Sequence, residues 1–309
     1  MTTSGTHAFN MDFTEIAEEA WERAGRELRS GYDLQTARRS MNLMTIEWQN
    51  RGINMWTIEQ GLIDLVQGQA TYALPDDTID LLEQSIRTGA NNAVTQSDLN
   101  LNRISIVTYS SIPNKITQSR PIQVVIHRDS GQTYPTGITL DATASSTDTT
   151  ITLSSVAGLP PAGFVKIENE ILNYGYIVGN VLQNCFRGQQ GTTAATHTVG
   201  GTAITVYWEQ VPAVTVWPVP DNVQTYQIVY WRMRRVQDAG DGVEVADMNF
   251  RFFPCLVAGL AYYIAMKVPE FMDRVPMLKT AYEEQFELAA GEDREKASVR
   301  FVPRAGRIN

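Results

Sequence analysis

The chain has 309 residues and is 43 % apolar, enough for about two cored domains at ~150 residues each and too apolar for a disordered tail. Lys and Arg total 25 against 34 Asp and Glu, a net charge of −9, and only 19 % of residues are charged. A duplex-DNA binder gains affinity by neutralising phosphates, so this balance excludes that role for the chain as a whole. The first predicted element is a helix in which Phe13, Ile16, Ala17, Ala20, Trp21, Ala24 and Leu28 form one apolar stripe. Asp12 and Glu15 have capping-box spacing, and Gly31 is the expected stop. A second helix is predicted from about Asp33 to Arg51-Gly52, with Leu34, Ala37, Met41, Met44 and Trp48 on one face and Arg38 and Arg39 among its polar residues. The short link Ser30-Gly31-Tyr32 would make the two an antiparallel hairpin.

From Met55 to about Arg128 the pattern changes to short β-like runs. Trp56 to Ile58, Arg103 to Tyr109 and Ile122 to His127 are rich in β-branched or aromatic residues, and Pro75-Asp76-Asp77 and Pro113-Asn114 punctuate them. Thr88 to Asn102, polar and Asn-rich, is expected to be an exposed loop. Strands resume at Ala213 to Trp217, turn at Pro218 to Asp221, and continue from Thr225 to Arg235, so one β-domain is split in sequence. The segment that splits it, Gly137 to Val206, has its own composition. From Ile138 to Val206 there are two basic and four acidic residues in 69 positions, beside 12 Thr and 8 Gly. Strands are predicted at Thr150 to Leu153, Phe164 to Ile167, Ile171 to Tyr176, Val181 to Phe186 and Ala203 to Val206, with a tight turn at Gly179-Asn180. This reads as a small all-β module inserted in a loop of its host, a position that tolerates insertion.

The C-terminal quarter is helical again. Phe252 to Met266 is apolar nearly all round and reads as a buried helix, with Pro254 tolerable in its first turn. Pro269 ends it, and Pro276 starts another helix with Leu278, Ala281, Tyr282, Phe286 and Ala289 at helical spacing. The last residues carry Arg300, Arg304 and Arg307 and no acid, and Pro303 and Gly306 favour an extended basic tail. The expected fold class is therefore α+β. Residues 1–54 and 247–298 would form a helical bundle, 55–136 and 207–246 a split antiparallel β-domain, 137–206 the inserted module, and 299–309 the tail.

Chemistry-bearing motifs are scarce. Cys185 and Cys255 are too few for a disulfide framework or a Cys-rich zinc site. His7, His127 and His197 have no His or Cys neighbour at ligand spacing and read as ordinary strand or loop residues. The Gly-rich run Gly188 to Thr193 lacks the Lys of a phosphate-binding loop, and neither G-x-S-x-G nor H-E-x-x-H occurs. Glu168 and Glu170, two apart on a strand, could share a face as glycosidase carboxylates do; a solvated strand face explains them equally well. Arg232, Arg234 and Arg235 alternate with Trp231 and Met233, a pattern that fits nucleic-acid contact or a strand edge making ion pairs. With 20 Arg and only 5 Lys, the basic residues favour bidentate pairing in protein interfaces. No signal peptide is read at Met1 to Asn10, and Phe252 to Met266 is shorter than the ~20 residues that span a bilayer, so a soluble product of a reducing cytoplasm is expected. No catalytic residue, metal or cofactor is expected.

Several stretches together resemble the head-to-tail adaptors of short-tailed bacteriophages, also called tail tubular protein A or portal-docking adaptors. They are Glu15-Ile-Ala-Glu-Glu-Ala-Trp21-Glu-Arg-Ala-Gly25, Leu34-Gln-Thr-Ala-Arg-Arg39-Ser-Met-Asn-Leu43, Trp217-Pro-Val-Pro-Asp221, Tyr226-Gln-Ile-Val-Tyr-Trp231, Gln237-Asp-Ala-Gly240, Arg251-Phe-Phe-Pro254, Gly259-Leu-Ala-Tyr-Tyr-Ile-Ala265 and Arg294-Glu-Lys-Ala-Ser298. They run in order along roughly 240 of the 309 residues. Gly163 to Glu170 and Arg187 to Thr193 are similar to β-modules that decorate other phage tail proteins, and here the chain departs from the plainest adaptors. The resemblance implies a non-enzymatic virion protein of the phage neck, made in the host cytoplasm. It would form a ring, commonly of twelve copies, that docks on the portal protein, joins it to a distal nozzle or hub protein and lets DNA pass without specific binding. It further implies portal docking through Arg300, Phe301, Arg304 and Arg307, and Arg38, Arg39, Arg232, Arg234 and Arg235 are candidate intersubunit or channel contacts. The alternatives are a glycan- or capsid-binding tail protein acting through the insert, and a cell-wall glycosidase using Glu168 or another acid.

Overall fold

A computed structural model describes residues 5–6, 9–129, 131–240 and 244–293. His7, Arg300, Phe301, Arg304 and Arg307 lie outside the described residues, as does the end of the helical segment expected to reach 298. The fold is α+β, and the chain divides into two compact units, Met1–Thr57 with Val236–Asn309, and Ile58–Arg235.

The first unit is built on amphipathic helices. Helix Phe13–Ala24 starts with the expected capping box: Asp12 accepts from the Glu15 amide at 2.8 Å, and the Glu15 carboxylate accepts from the Asp12 amide at 3.2 Å. It stops at Gly25 rather than Gly31. Gly25 takes φ 121°, which a side chain disfavours, and its N–H closes the helix on the carbonyls of Trp21 and Glu22. Gly31 instead opens helix Gly31–Asn50, because Ser30 caps it by accepting from the Asp33 amide at 3.3 Å. The link is thus longer than expected, and Leu28 lies outside the helix while still packing on the shared core.

Helices Phe253–Ala265 and Val275–Glu292 each carry a proline in the first turn, and a 3-10 helix, Pro269–Arg274, stands between them. Phe13, Ile16, Trp21, Met44, Trp48, Leu256, Leu260, Leu278 and Tyr282 form one core with them. At its centre Trp48 Nε1 donates to Tyr282 Oη at 2.8 Å. A Cβ on Gly259 would lie 2.4 Å from Met44 Sδ and 2.8 Å from the Tyr282 ring, so close approach of the helices requires glycine there. The residues after Val236 belong with this unit and not with the β-domain expected to reach 246. Strand pairing ends at Arg234, Ala239 and Ala246 are buried in the helical core, and Phe13 N donates to Glu244 O at 3.1 Å.

The second unit contains two four-stranded sheets. One has the order Ile58–Asp64, Tyr226–Arg234, Thr78–Thr88, Ser97–Asn100, and the other Thr71–Ala73, Ala213–Trp217, Gln123–His127, Asn102–Arg103. Tyr72, Leu81, Ile86, Val124, Val214, Val216, Ile228 and Tyr230 from both sheets share a core. Each sheet joins strands from before residue 130 to strands from after residue 210. Gly61 pairs with Tyr230, whose ring occupies the space a Cβ would need.

Three expectations for this region change. Arg103 to Tyr109 is not a strand: after Asn102–Arg103, Ser105 accepts from the Thr108 amide at 3.1 Å and caps a short helix, Ile106–Ser110. Capping here outweighs β-propensity. Thr88 to Asn102 is a hairpin arm whose strand Ser97–Asn100 pairs with Ser85 to Thr88; its polarity is that of an exposed edge strand. Trp56 lies in a 3-10 turn, Met55–Thr57.

Residues 132–210 form a five-stranded sheet, ordered Phe186–Gln189, Glu170–Tyr174, Gly163–Ile167, Thr205–Gln210, Gln132–Thr139, and a three-stranded sheet of Tyr176–Val178, Val181–Gln183 and Thr150–Thr152. A separate core of Ile138, Ile151, Val165, Ile167, Leu172, Tyr174, Leu182 and Val206 joins them. Gly179 turns the chain between Val178 and Val181 at φ 61°. The expected runs Ile171 to Tyr176 and Val181 to Phe186 each break at one point, Gly175 and Asn184-Cys185, and pass from one sheet to the other. Pairing extends outward to Gln132 and Gln210, beyond the expected limits of 137 and 206.

Candidate functional site

Within the 132–210 module Arg187 and His197 converge on the buried carboxylate of Glu170. Arg187 forks onto it, with Nε 2.7 Å from Oε1 and Nη2 2.6 Å from Oε2. The Gly188 and Ala195 amides donate to it at 3.0 Å each. His197 Nε2 lies 2.9 Å from Glu170 Oε2, and its Nδ1 lies 2.7 Å from Glu168 Oε2. Burial alone would raise the Glu170 carboxyl, but Arg187, the two amides and His197 prevail and hold it at about 2. Glu168 and Glu170 do not share a strand face, as their spacing suggested: Glu168 occupies the two-residue turn at φ 54°, and Glu170 opens the next strand opposite Ile167. A general acid must carry its proton near neutral pH, which Glu170 does not. The cluster is a positioning knot that ties the turn after Ile167 to the segment carrying His197. Sequence reasoning missed His197's place in it.

A groove of about 710 Å³ lies between this module and the second four-stranded sheet. Tyr109 and Ile116 line it, and the module contributes Tyr176 and Asn184. Among its lining residues, His127 Nε2 is 2.9 Å from Thr215 Oγ1, which is 2.8 Å from Thr71 Oγ1. Burial lowers the His127 imidazole, and nearby Asp129 opposes that shift. Trp208, Glu209 and Gln210 are also among its lining residues, and Gln210 Nε2 donates to Asp129 at 3.0 Å. The module is fixed to the sheet beside the groove by Gln190, whose amide reaches Leu74 O at 3.2 Å and the Asp76 carboxylate.

In the helical unit the notable surface is apolar. Tyr32, Leu43 and Ile46 are 70, 59 and 48 % exposed, and with Arg39 they follow i, i+7, i+11 and i+14 on the face of helix Gly31–Asn50 opposite its buried Ala37, Met41, Met44 and Trp48. On helix Val275–Glu292, Met277, Ala281 and Leu288 are exposed along one outer line, with the exposed Glu284 among them. Ala281, expected in the core, belongs to this line.

The remaining basic candidates divide. Arg232 donates to Glu59 at 2.9 Å and pairs with Asp77, and Arg234 donates to Glu59 at 2.6 Å. Their strand is the second of four, not an edge. Arg235 and Arg39 are exposed, and Arg38 donates to Gly240 O at 3.1 Å. Cys185 and Cys255 are free, buried thiols pushed up to about 12 by burial. Among the described residues no cluster of His, Cys, Asp and Glu is suited to a metal ion, and no helix is long and apolar enough to cross a membrane. The sequence matches no protein-family model and no curated protein.

Proposed function

We propose that the chain is a structural virion protein, a head-to-tail adaptor in which a helical bundle carries a split β-domain and an inserted β-module. Copies would form a ring that docks on a portal protein, connects it to a distal tail protein and continues the DNA channel. The observation that supports this reading is the second apolar stripe on two helices of the first unit. Large apolar side chains exposed at regular spacing, outside an already complete core, mark a surface that is covered in an assembly. The excess of Arg over Lys suits such interfaces. The net charge of −9 suits a channel wall that does not hold DNA, since each cation on a phosphate adds to the grip. Arg300, Phe301, Arg304 and Arg307 are the proposed portal-docking residues.

Electron microscopy of the protein mixed with its cognate portal tests the reading. Collars of the added protein on the portal are the expected outcome, and inert monomers would overturn it. The paired substitution Leu43→Ser and Ile46→Ser should abolish the collars while leaving the unmixed protein folded.

A further inference from the structure

We propose that the groove between the 132–210 module and the second four-stranded sheet binds an oligosaccharide of neutral or N-acetylated hexoses. Its volume of about 710 Å³ falls within the ~300–1,000 Å³ of small-molecule sites. The lining combines the two chemistries a pyranose presents, an apolar ring face and a rim of hydroxyls. Tyr176, 53 % exposed, supplies aromatic surface for the ring face, and Tyr109 and Tyr174 line the groove with it.

The polar lining mixes hydroxyls and amides, which can donate or accept, with two carboxylates, Asp129 and Glu209. Glu209 is only 5 % exposed, yet its carboxylate receives only the Thr133 hydroxyl, at 2.8 and 3.0 Å, and no described cation pairs with it. A buried carboxylate with one donor retains unused acceptor capacity, which a ligand's hydroxyl or amide N–H can fill. Asn184, exposed on the groove, donates its amide to Gly68 O at 3.4 Å and leaves its side-chain oxygen open to a ligand. The same groove is unsuited to a phosphate. Asp129 and Glu209 repel one, and Lys115 is turned onto the carbonyls of Ser110 and Ile112 at 3.1 and 2.9 Å. None of the residues of the outer helix stripes lines the groove.

The full chain is screened on an array of bacterial surface polysaccharides, and a soluble fragment of any ligand found is titrated against wild type, Tyr176→Ala, Glu209→Gln and Val94→Ser. Binding to at least one polysaccharide is expected, weakened about tenfold by Tyr176→Ala and by Glu209→Gln and unchanged by Val94→Ser at the exposed hairpin tip. Melting temperatures within error of wild type separate lost binding from lost folding. Tyr176 is largely exposed, so Tyr176→Ala remains informative if Glu209→Gln unfolds. No bound polysaccharide on the array, or a polysaccharide bound equally by both groove variants, overturns the proposal.

Discussion

The helical unit and the 132–210 module solve the same problem with different materials. The first buries Trp21, Trp48, Phe252, Tyr282 and long aliphatic side chains from helices whose apolar period brings them together. The module buries mainly Val, Ile and Leu from short strands and adds a buried ionic knot where its edge strand Phe186–Gln189 meets the turn after Ile167. A small core leaves strand ends and turns weakly specified, and a fully bonded charge cluster fixes them because every alternative strands a charge. If that contrast is sound, the module fails when one charge is removed, whereas the helical unit fails when shape is disturbed.

The largest effect is expected from Arg187→Met. It leaves Glu170 buried without its fork, and breaking such a pair from one side costs ~3–5 kcal/mol. Hydrogen exchange resolved by segment should show lost protection across 163–206 and little change in the helices. By contrast, Arg87→Met removes an exposed pair with Asp98, 2.7 Å long, and should leave thermal denaturation and exchange nearly unchanged. Equal effects from the two substitutions would remove the distinction between knot and surface pair.

Acid should reproduce the first result without mutation. The Glu170 carboxyl, ordinarily near 4.5, is held at about 2 in the folded chain. Its stabilisation is complete above the unfolded value and is lost as the pH falls from 4.5 through 2. The module should open before the helical unit on acid titration, and Glu170→Gln should lower the module's stability at neutral pH and flatten its response over that range. In the helical unit the matching test is one of shape: Gly259→Ala drives a methyl against Met44 and Tyr282 and should cost ~1–3 kcal/mol, read by thermal denaturation, with the module's exchange unaltered.

The contrast also explains what could be read from sequence. The helices were legible because their information is local: Asp12 and Glu15 are three apart, and the core stripe repeats with one period. The outer stripe on Tyr32, Leu43 and Ile46 escaped because a helix with one apolar face already explained invites no search for another. The knot was illegible for a different reason. Glu170 lies 17 residues from Arg187 and 27 from His197, and only strand pairing and a turn bring them together. The groove is more scattered still, since Thr71, Tyr109, Tyr176 and Glu209 meet only when strands from both sides of the module complete one sheet. Glycine was ambiguous at Gly25 and Gly31, and the preceding Ser30, a strong N-cap, was the signal that separates them.

The smallest effect on stability is expected where assembly is most exposed. Leu43 and Leu288 are 59 and 68 % exposed and touch no essential part of the core, so Leu43→Ser with Leu288→Ser should change unfolding free energy by less than ~0.5 kcal/mol per site. A surface built only to solubilise the helices would favour polar residues there, and these substitutions would then be silent in every measurement. If the outer stripes are covered by neighbouring copies or by a portal, burying each leucine contributes roughly 1.5–3 kcal/mol per copy, repeated around a ring. The double variant should therefore be indistinguishable from wild type in thermal denaturation and fail to sediment with the portal. Co-sedimentation at wild-type level would mean that the helical unit, like the module, completes its energetics within one chain.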